Sequence, residues 1–429
     1  MYKSLSAPLA IQLELTEDCT HRCLHCYNYW RTEEKYRARD LSWDDAQTIT
    51  DQIIEEKVFR VVITGGEPLI NKRVLFKVAE KLRKADITTA INSNLILLVE
   101  DDAHRIKDLG IVSVLTSILG PTREIHDEIT QLSGSFDRTI EGVRLLQKIG
   151  VRVSVNMVVT KKNNHLVKDT ALFVKSIGFK NFFATKAGCP GNCSDFSDLR
   201  ISIPEFRQYL EDLYFIKEAG LSVDVLEAYP LCGIKEINRY KFATNHRCLA
   251  GVTTMTIGVD GFARPCSHLD ILCGNVIRQG IFSAWKDMIA WRGKEFLSNG
   301  CKECELLEKC GGGCKMETKT AGGRDPFISF EDIDYVCSQM DIKKSSDNLV
   351  VLPNKFRLNP KIKWRHEFFG SVVFIDEKEV CYLDLEATIM LSQLSFNKDY
   401  CLKEIDDEYG GGLECFLTQL YAKQFWVTA

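Results

Sequence analysis

The sequence predicts an α/β chain whose first half is a parallel sheet flanked by helices, a partial (β/α)6 barrel of the TIM type. Three observations point there. Six strand-like runs, at 10–15, 58–63, 88–91, 111–117, 151–159 and 181–184, alternate with amphipathic stretches at 42–56, 71–84, 101–109, 136–148 and 166–176. Such repetition makes neighbouring strands parallel, because each helix carries the chain back across the sheet. The two most distinctive short motifs, a three-cysteine loop and a Gly-Gly-Glu-Pro turn, directly follow the first and second strands. That is the C-terminal edge, where folds of this type build their sites. Ser42 with Asp45, and Ser202 with Glu205 after the sixth strand, have the spacing of capping boxes and mark helix starts.

The cysteine loop reads Cys19-Thr20-His21-Arg22-Cys23-Leu24-His25-Cys26-Tyr27, a C-x3-C-x2-C spacing. Three thiolates on one short loop suit three corners of a cubane 4Fe-4S cluster. The fourth iron then has no protein ligand, whereas such clusters usually take four cysteines. A structural zinc site closes with four ligands, often as two separated pairs. Zinc here would need His21 or His25, and both lie too near in sequence for easy tetrahedral closure. In Thr64-Gly65-Gly66-Glu67-Pro68, the glycines let the backbone approach a ligand, Glu67 offers an anion and Pro68 stiffens the turn. Alone, that run would read as a tight strand-to-helix turn.

Together these motifs resemble the radical S-adenosylmethionine family. The resemblance implies that Cys19, Cys23 and Cys26 hold a 4Fe-4S cluster whose open iron is chelated by the cofactor's amino and carboxylate groups. An electron then cleaves the sulfonium and releases a hydrogen-abstracting 5′-deoxyadenosyl radical. The position before the third cysteine, usually aromatic in the family, is His25. Gly65, Gly66, Glu67 and Pro68 correspond to the G-G-E-P motif that holds the cofactor's amino group. Asn92-Ser93-Asn94 resembles the family's T-N-G turn, which places Asn94 at the site. Ser117 corresponds to a serine aimed at the ribose, and Asn156 in the fifth strand is a further candidate for a cofactor contact, the alternative being an inward polar residue that completes a core hydrogen bond. Two departures stand out. The fourth strand ends Ser117-Ile118-Leu119-Gly120-Pro121 where relatives tend to have Ser-x-Asp-Gly-Pro, and Thr130 replaces an arginine after His126-Asp127. Both bear on the substrate rather than on the cofactor.

A second cysteine field runs Cys301, Cys304, Cys310, Cys314 as C-x2-C-x5-C-x3-C, with Cys337 downstream and Cys248 and Gly261-Phe262-Ala263-Arg264-Pro265-Cys266 upstream. The pattern resembles the SPASM domain, which carries auxiliary clusters in peptide-modifying radical enzymes. The resemblance assigns Cys301, Cys304, Cys310 and Cys337 to a distal cluster. It assigns Cys248, Cys266 and Cys314 to a proximal one, whose fourth ligand is Cys232, Cys273, a substrate thiol or none. Two zinc knuckles are the competing reading. Cys189 and Cys193 fall on the exit loop of the sixth strand and are left unassigned.

After a polar linker at 342–348 come strand patterns at 371–375 and 379–383 and helices near 385–394, 402–409 and 413–425. A hairpin with three short helices is a small winged helix-turn-helix. Lys403, Glu404, Asp406, Asp407 and Glu408 make the would-be recognition helix acidic, which disfavours phosphate contacts. The pattern resembles the PqqD-like domain, which binds leader sequences of ribosomally made peptides as an added strand. The expected organisation is therefore 8–225 (barrel), 226–340 (bridge and SPASM domain) and 350–429 (PqqD-like domain).

Composition narrows the function. At 429 residues with 45% hydrophobic content, the chain is long enough for two or three domains, each with a core. A net charge of −4 disfavours nucleic acid as a partner. No apolar run approaches a membrane span, and no secretory signal opens the sequence. Seventeen cysteines, clustered and odd in number, fit metal clusters in a reducing, cytoplasmic setting better than disulfides. The resemblances imply a peptide maturase with three 4Fe-4S clusters and S-adenosylmethionine, acting on a precursor peptide with a leader and reduced by a flavodoxin or ferredoxin-type partner. The expected product is a thioether between a cysteine sulfur and a carbon. Carbon–carbon crosslinking, epimerisation and formylglycine formation are the alternatives within the class. A non-catalytic zinc-ribbon and winged-helix binding module is the alternative outside it.

Overall fold

A computed structural model of the chain describes residues 4–32, 37–191, 195–341, 351–375 and 379–428. Cys193 and the expected linker at 342–348 lie outside the described residues. Contacts divide the chain into one unit spanning 7–341 and a second comprising 342–429 with residues 2–6.

The first unit is built on a nine-stranded sheet. Its strands are β1 (Ala10–Glu14), β2 (Arg60–Thr64), β3 (Thr88–Asn92), β4 (Ser113–Ser117), β5 (Val153–Val159), β6 (Asn181–Lys186), β7 (Ser222–Asp224), β8 (Thr254–Ile257) and β9 (Ala263–Arg264). The order is β7-β6-β5-β4-β3-β2-β1-β8-β9. Every pairing is parallel except β8 with β9. One face of the strands is apolar and packs under the helices: Ile11, Leu13, Val61, Ile63, Val155 and Met157, alternate residues of β1, β2 and β5, are all fully enclosed, while Gln12, Arg60 and Ser154 on the other face are only partly buried. Helix Lys72–Lys84 illustrates the covering layer, burying Val74, Leu75, Val78, Ala79 and Leu82 at helical spacing.

The six expected strands are β1–β6, each displaced by only a few residues at its ends. The sheet then goes further. β7 extends one edge, and β8 adds to β1 with Ala10 opposite Thr254 and Leu13 opposite Ile257. β8 and β9 lie beyond residue 225, so the sheet continues into the segment expected to form a separate domain. Both marked helix starts are present. Ser42 accepts from the Asp45 amide, and Ser202 forms the full reciprocal box with Glu205. Among the described residues, no helix is long and apolar enough to cross a membrane.

The second unit holds a three-stranded antiparallel meander, β11 (Ile362–Glu367), β12 (Gly370–Ile375) and β13 (Glu379–Leu383), and a separate pair of β10 (Phe356–Leu358) with β14 (Trp426–Thr428). Helices Leu385–Gln393, Leu402–Tyr409 and Glu414–Ala422 complete it. Phe356, Val373, Leu391, Ile405, Leu417 and Trp426 meet in its core. The expected hairpin is β12–β13, and the expected helices are present. The sequence reading missed β10, β11 and β14. β10 and β14 have three residues each, and β11 reads Ile-Lys-Trp-Arg-His-Glu, too charged to announce a strand.

Candidate active site

The three-cysteine loop leaves β1 at the C-terminal edge of the sheet and is held from four sides. Gly66 N donates to Thr16 O at 2.6 Å and Glu67 N to Asp18 O at 2.7 Å. Arg22 N and Leu24 N donate to the carbonyls of Thr130 and Ile129, each at 3.0 Å, at the end of helix Arg123–Thr130. Arg31 Nη1 donates to His21 O at 2.9 Å, and Asn28 Nδ2 to Gly65 O at 3.3 Å. Asn94 Nδ2 donates to Thr20 Oγ1 at 2.9 Å and approaches Cys19 Sγ at 3.8 Å.

The glycines of the following turn are required by this approach. Gly65 has φ +139°, and a Cβ there would sit 2.4 Å from Thr16 O. At Gly66 a Cβ would sit 1.9 Å from Asp18 O. Glu67 is buried and faces β3's exit: its carboxylate accepts from Leu69 N (3.0 Å), Ser93 Oγ (2.7 Å) and Asn94 N (2.8 Å). Burial pushes its carboxyl up to about 7 despite these bonds. Pro68 opens the short 3-10 turn that follows. Ser117 ends β4 directly opposite Asn156 of β5. Asn156 Oδ1 accepts from Thr185 Oγ1 at 3.0 Å, which ties β5 to β6.

The residues fit an anionic metal cluster with a polar ligand. Burial pushes the Cys19 thiol up to about 11 and those of Cys23 and Cys26 also upward. A metal centre bound there would hold all three as thiolates. Around it, Asn28 Oδ1, Arg31 Nε and Nη2, His21 Nε2 and His25 Nδ1 are shielded from water with no hydrogen-bond partner among the described residues. Such groups call for a ligand, since an unmet buried polar atom costs on the order of 1–3 kcal/mol. Among the described residues, no three His, Cys, Asp or Glu groups converge as around a single ion.

The second cysteine field belongs to the same unit. β9 ends at Arg264, whose buried guanidinium donates to Glu14 Oε1 at 2.5 Å at the end of β1 and lies over the rings of Tyr29 and Trp30. Two residues past Cys266, His268 stacks on Tyr27, with centroids 4.5 Å apart and planes 20° from parallel. Tyr27 directly follows Cys26, so one aromatic pair spans the two fields. Within the second field, Cys266 and Cys314 each lie in electrostatic range of Cys248. Cys301, Cys304 and Cys310 form another group, which Cys232 joins. Cys337 touches Glu305 and lies near Cys304. Cys273 neighbours Asp287 and Arg292, and Cys189 is buried against Phe196.

Close to Cys314, Lys186 at the end of β6 is fully buried with Glu317 (3.4 Å) and Glu227 (3.2 Å), and Arg200 reaches Glu317 from the other side. The sequence reading missed this cluster, the Glu14–Arg264 pair, the Tyr27–His268 stack and Arg31. Each depends on partners far apart in the chain, and none has a local signature. Helix Arg123–Thr130 carried a faint signal in Ile125 and Ile129, four apart.

Residues 13–174 match the Radical SAM superfamily. The chain is 25% identical over 342 residues to the AdoMet-dependent heme synthase of Methanosarcina barkeri, covering 75% of this chain and 95% of that protein. It is 26% identical over 320 residues to the mycofactocin maturase MftC of Mycobacterium tuberculosis, covering 73% and 79%. Streptococcus suis SuiB in complex with its precursor peptide SuiA superposes with a TM-score of 0.61 at 18% identity, covering 77% of this chain and 76% of SuiB. At that identity the likeness is one of fold. This chain therefore carries a radical SAM domain, whose family uses a 4Fe-4S cluster and S-adenosylmethionine.

Proposed function

We propose that this chain is a radical SAM maturase that modifies a ribosomally synthesised precursor peptide, with a thioether crosslink as the product. The observation that carries the reading is the shared sheet. β1, which delivers Cys19, pairs with β8, and β8 pairs with β9, which delivers Cys266. A second cysteine field is thus built onto the edge of the radical site. Three 4Fe-4S clusters follow in this reading: Cys19, Cys23 and Cys26 for the first, and SPASM-type auxiliary centres for the other two. Cys248, Cys266 and Cys314 hold one auxiliary centre, and Cys301, Cys304 and Cys310 belong to the other.

When bound, the first cluster and S-adenosylmethionine supply a 5′-deoxyadenosyl radical for hydrogen abstraction. The chain's part is to hold and shield. Gly65 and Gly66 bring backbone to the cofactor's amino group, while Glu67 fixes that turn through Ser93 and Asn94. Arg31 Nε and Nη2, which have no partner among the described residues, offer donors to an anion beside the loop. His25, Ser117 and Asn156 line the remainder of the proposed cofactor site.

The second unit supports the peptide substrate. β11 and β13 are the outer strands of its meander among the described residues. An apolar recess of about 370 Å³ lined by Trp364, Leu383, Phe396 and Leu420 lies in the same unit. An extended leader fits such an edge as an added strand, as in a PqqD-like winged helix. A second reading, a heme-forming oxidation, is favoured by the match to nearly the full length of the heme synthase. It leaves the second unit without a role.

The test is anaerobic reconstitution with iron and sulfide, followed by dithionite and S-adenosylmethionine. The reading expects about twelve irons per chain and release of 5′-deoxyadenosine. It further expects a short peptide encoded beside the gene to lose two hydrogens. Zinc in place of iron with no cofactor cleavage overturns it. Cleavage coupled to a porphyrin and not to the peptide selects the second reading.

A further inference from the structure

Cys301, Cys304 and Cys310 line an apolar recess of about 330 Å³, and the fourth cysteine lining it is Cys232. Leu231, Leu306, Phe330 and Ile333 supply its apolar lining. Cys337, the expected fourth member, does not line it. We propose that Cys232, Cys301, Cys304 and Cys310 are the complete ligand set of one iron–sulfur centre, and that Cys337 is not a ligand. This rests on the auxiliary-cluster reading above.

Cys232 is positioned by construction rather than by chance. A Cβ at Gly233 would sit 2.1 Å from Phe327 O, and Arg207 Nε donates to Gly233 O at 3.1 Å, so the backbone beside Cys232 is clamped from two directions. Pro230 packs against Gly313 of the loop that joins Cys310 to Cys314, where a Cβ would meet it at 3.0 Å. The neighbouring Leu231 amide donates to Cys310 Sγ at 3.4 Å, the kind of bond that cluster sulfurs accept. Cys232 lies close enough to Cys304 and Cys310 for their charges to interact. Both Cys232 and Cys301 are only 7% exposed.

Cys337 has a different setting. It rides helix Ile333–Asp341, half-buried, and its Sγ donates to Glu305 Oε1 at 3.1 Å. Four thiolates saturate a cubane, so this centre has no open iron. That leaves it electron relay and support of the fold, and excludes binding a substrate thiol.

The test compares Cys232→Ala, Cys232→Ser and Cys337→Ala with the unaltered chain after identical anaerobic reconstitution. Iron is counted and the reduced proteins are examined by electron paramagnetic resonance, neither of which depends on turnover. An unaltered chain that binds only about four irons defeats the auxiliary-cluster reading itself, before any variant is compared. Given about twelve, the proposal expects both Cys232 variants to lose roughly a third of the iron and one resonance signal, while Cys337→Ala keeps both. Loss of that third in Cys337→Ala, with or without loss in the Cys232 variants, overturns it. So does full iron in Cys232→Ser. Retention of the other two centres shows that a variant is folded. If Cys232→Ala unfolds, Cys232→Ser, closer in volume, decides.

Discussion

Glu67 carries more structure than its place in a short motif suggests. Its carboxylate is enclosed and takes three hydrogen bonds, which join the glycine turn after β2 to the exit of β3. An amide in its place turns an NH2 toward backbone donors, so Glu67→Gln is expected to cost about 1–3 kcal/mol in urea denaturation. The pH dependence has a definite sign. Burial raises the carboxyl from 4.5 to about 7. Below 4.5 it is neutral folded and unfolded. Between 4.5 and 7 the folded chain keeps a proton that the unfolded chain has lost, so stability falls as pH rises, and the full cost remains above 7. Glu67→Gln removes that proton. The fall in stability between about pH 4.5 and about pH 7 is therefore expected to be shallower in the variant. At Gly66 the expectation is steric. A Cβ cannot occupy a point 1.9 Å from Asp18 O, so Gly66→Ala displaces the cysteine loop. Iron bound by the first centre and 5′-deoxyadenosine release should both fall at least about tenfold, a loss of at least about 1.4 kcal/mol of binding or activation free energy.

Among the elements, β6 ends on the most consequential buried charge. Lys186 has no exposed side-chain surface and stands between Glu227 and Glu317. Removing one partner leaves an uncompensated charge in a dry site. Lys186→Met is thus expected to destabilise by about 3–5 kcal/mol, and pairing it with Glu227→Gln to recover part of the loss, since Glu317 still has Arg200. Equal costs for the single and double variants would show that the ion pair is not the cause. This element also shows where sequence reading stops. β6 itself was legible from its apolar run and from the repeating strand–helix pattern. What Lys186 meets was not, because Glu227 and Glu317 lie in segments with no periodic signal. The Glu14–Arg264 pair was hidden because its members stand 250 residues apart. The cysteines were legible because covalent chemistry demands fixed spacing. Cys232 stands alone in sequence and acquires meaning only where the chain brings it to Cys301 and Cys310.

At the scale of the molecule, each unit has its own core, and those cores are made of different residues. Leu417 is fully enclosed in the smaller one. Leu417→Ala is expected to cost about 2–5 kcal/mol there. Calorimetry of the whole chain should show a lower-temperature shift in one transition and none in the larger one. A uniform shift would indicate a single cooperative unit. The sequence placed a boundary near residue 225 because the strand–helix rhythm ends there. The sheet crosses that boundary through β8, whose Thr-Met-Thr-Ile run, at four residues, is too short to stand out.

That late strand also sets a clock. During synthesis at about 5–20 residues per second, roughly ten seconds or more separate the emergence of Ala10 from that of Thr254, its neighbour in the sheet. Once β2 has emerged, β1 keeps one open edge for the rest of that interval, and its cysteine loop lacks the flank that Arg264 and His268 later supply. A ribosome-bound chain halted before residue 254 should therefore be more prone to aggregate, and more exposed to thiol-directed reagents at Cys19, Cys23 and Cys26, than one released after residue 268.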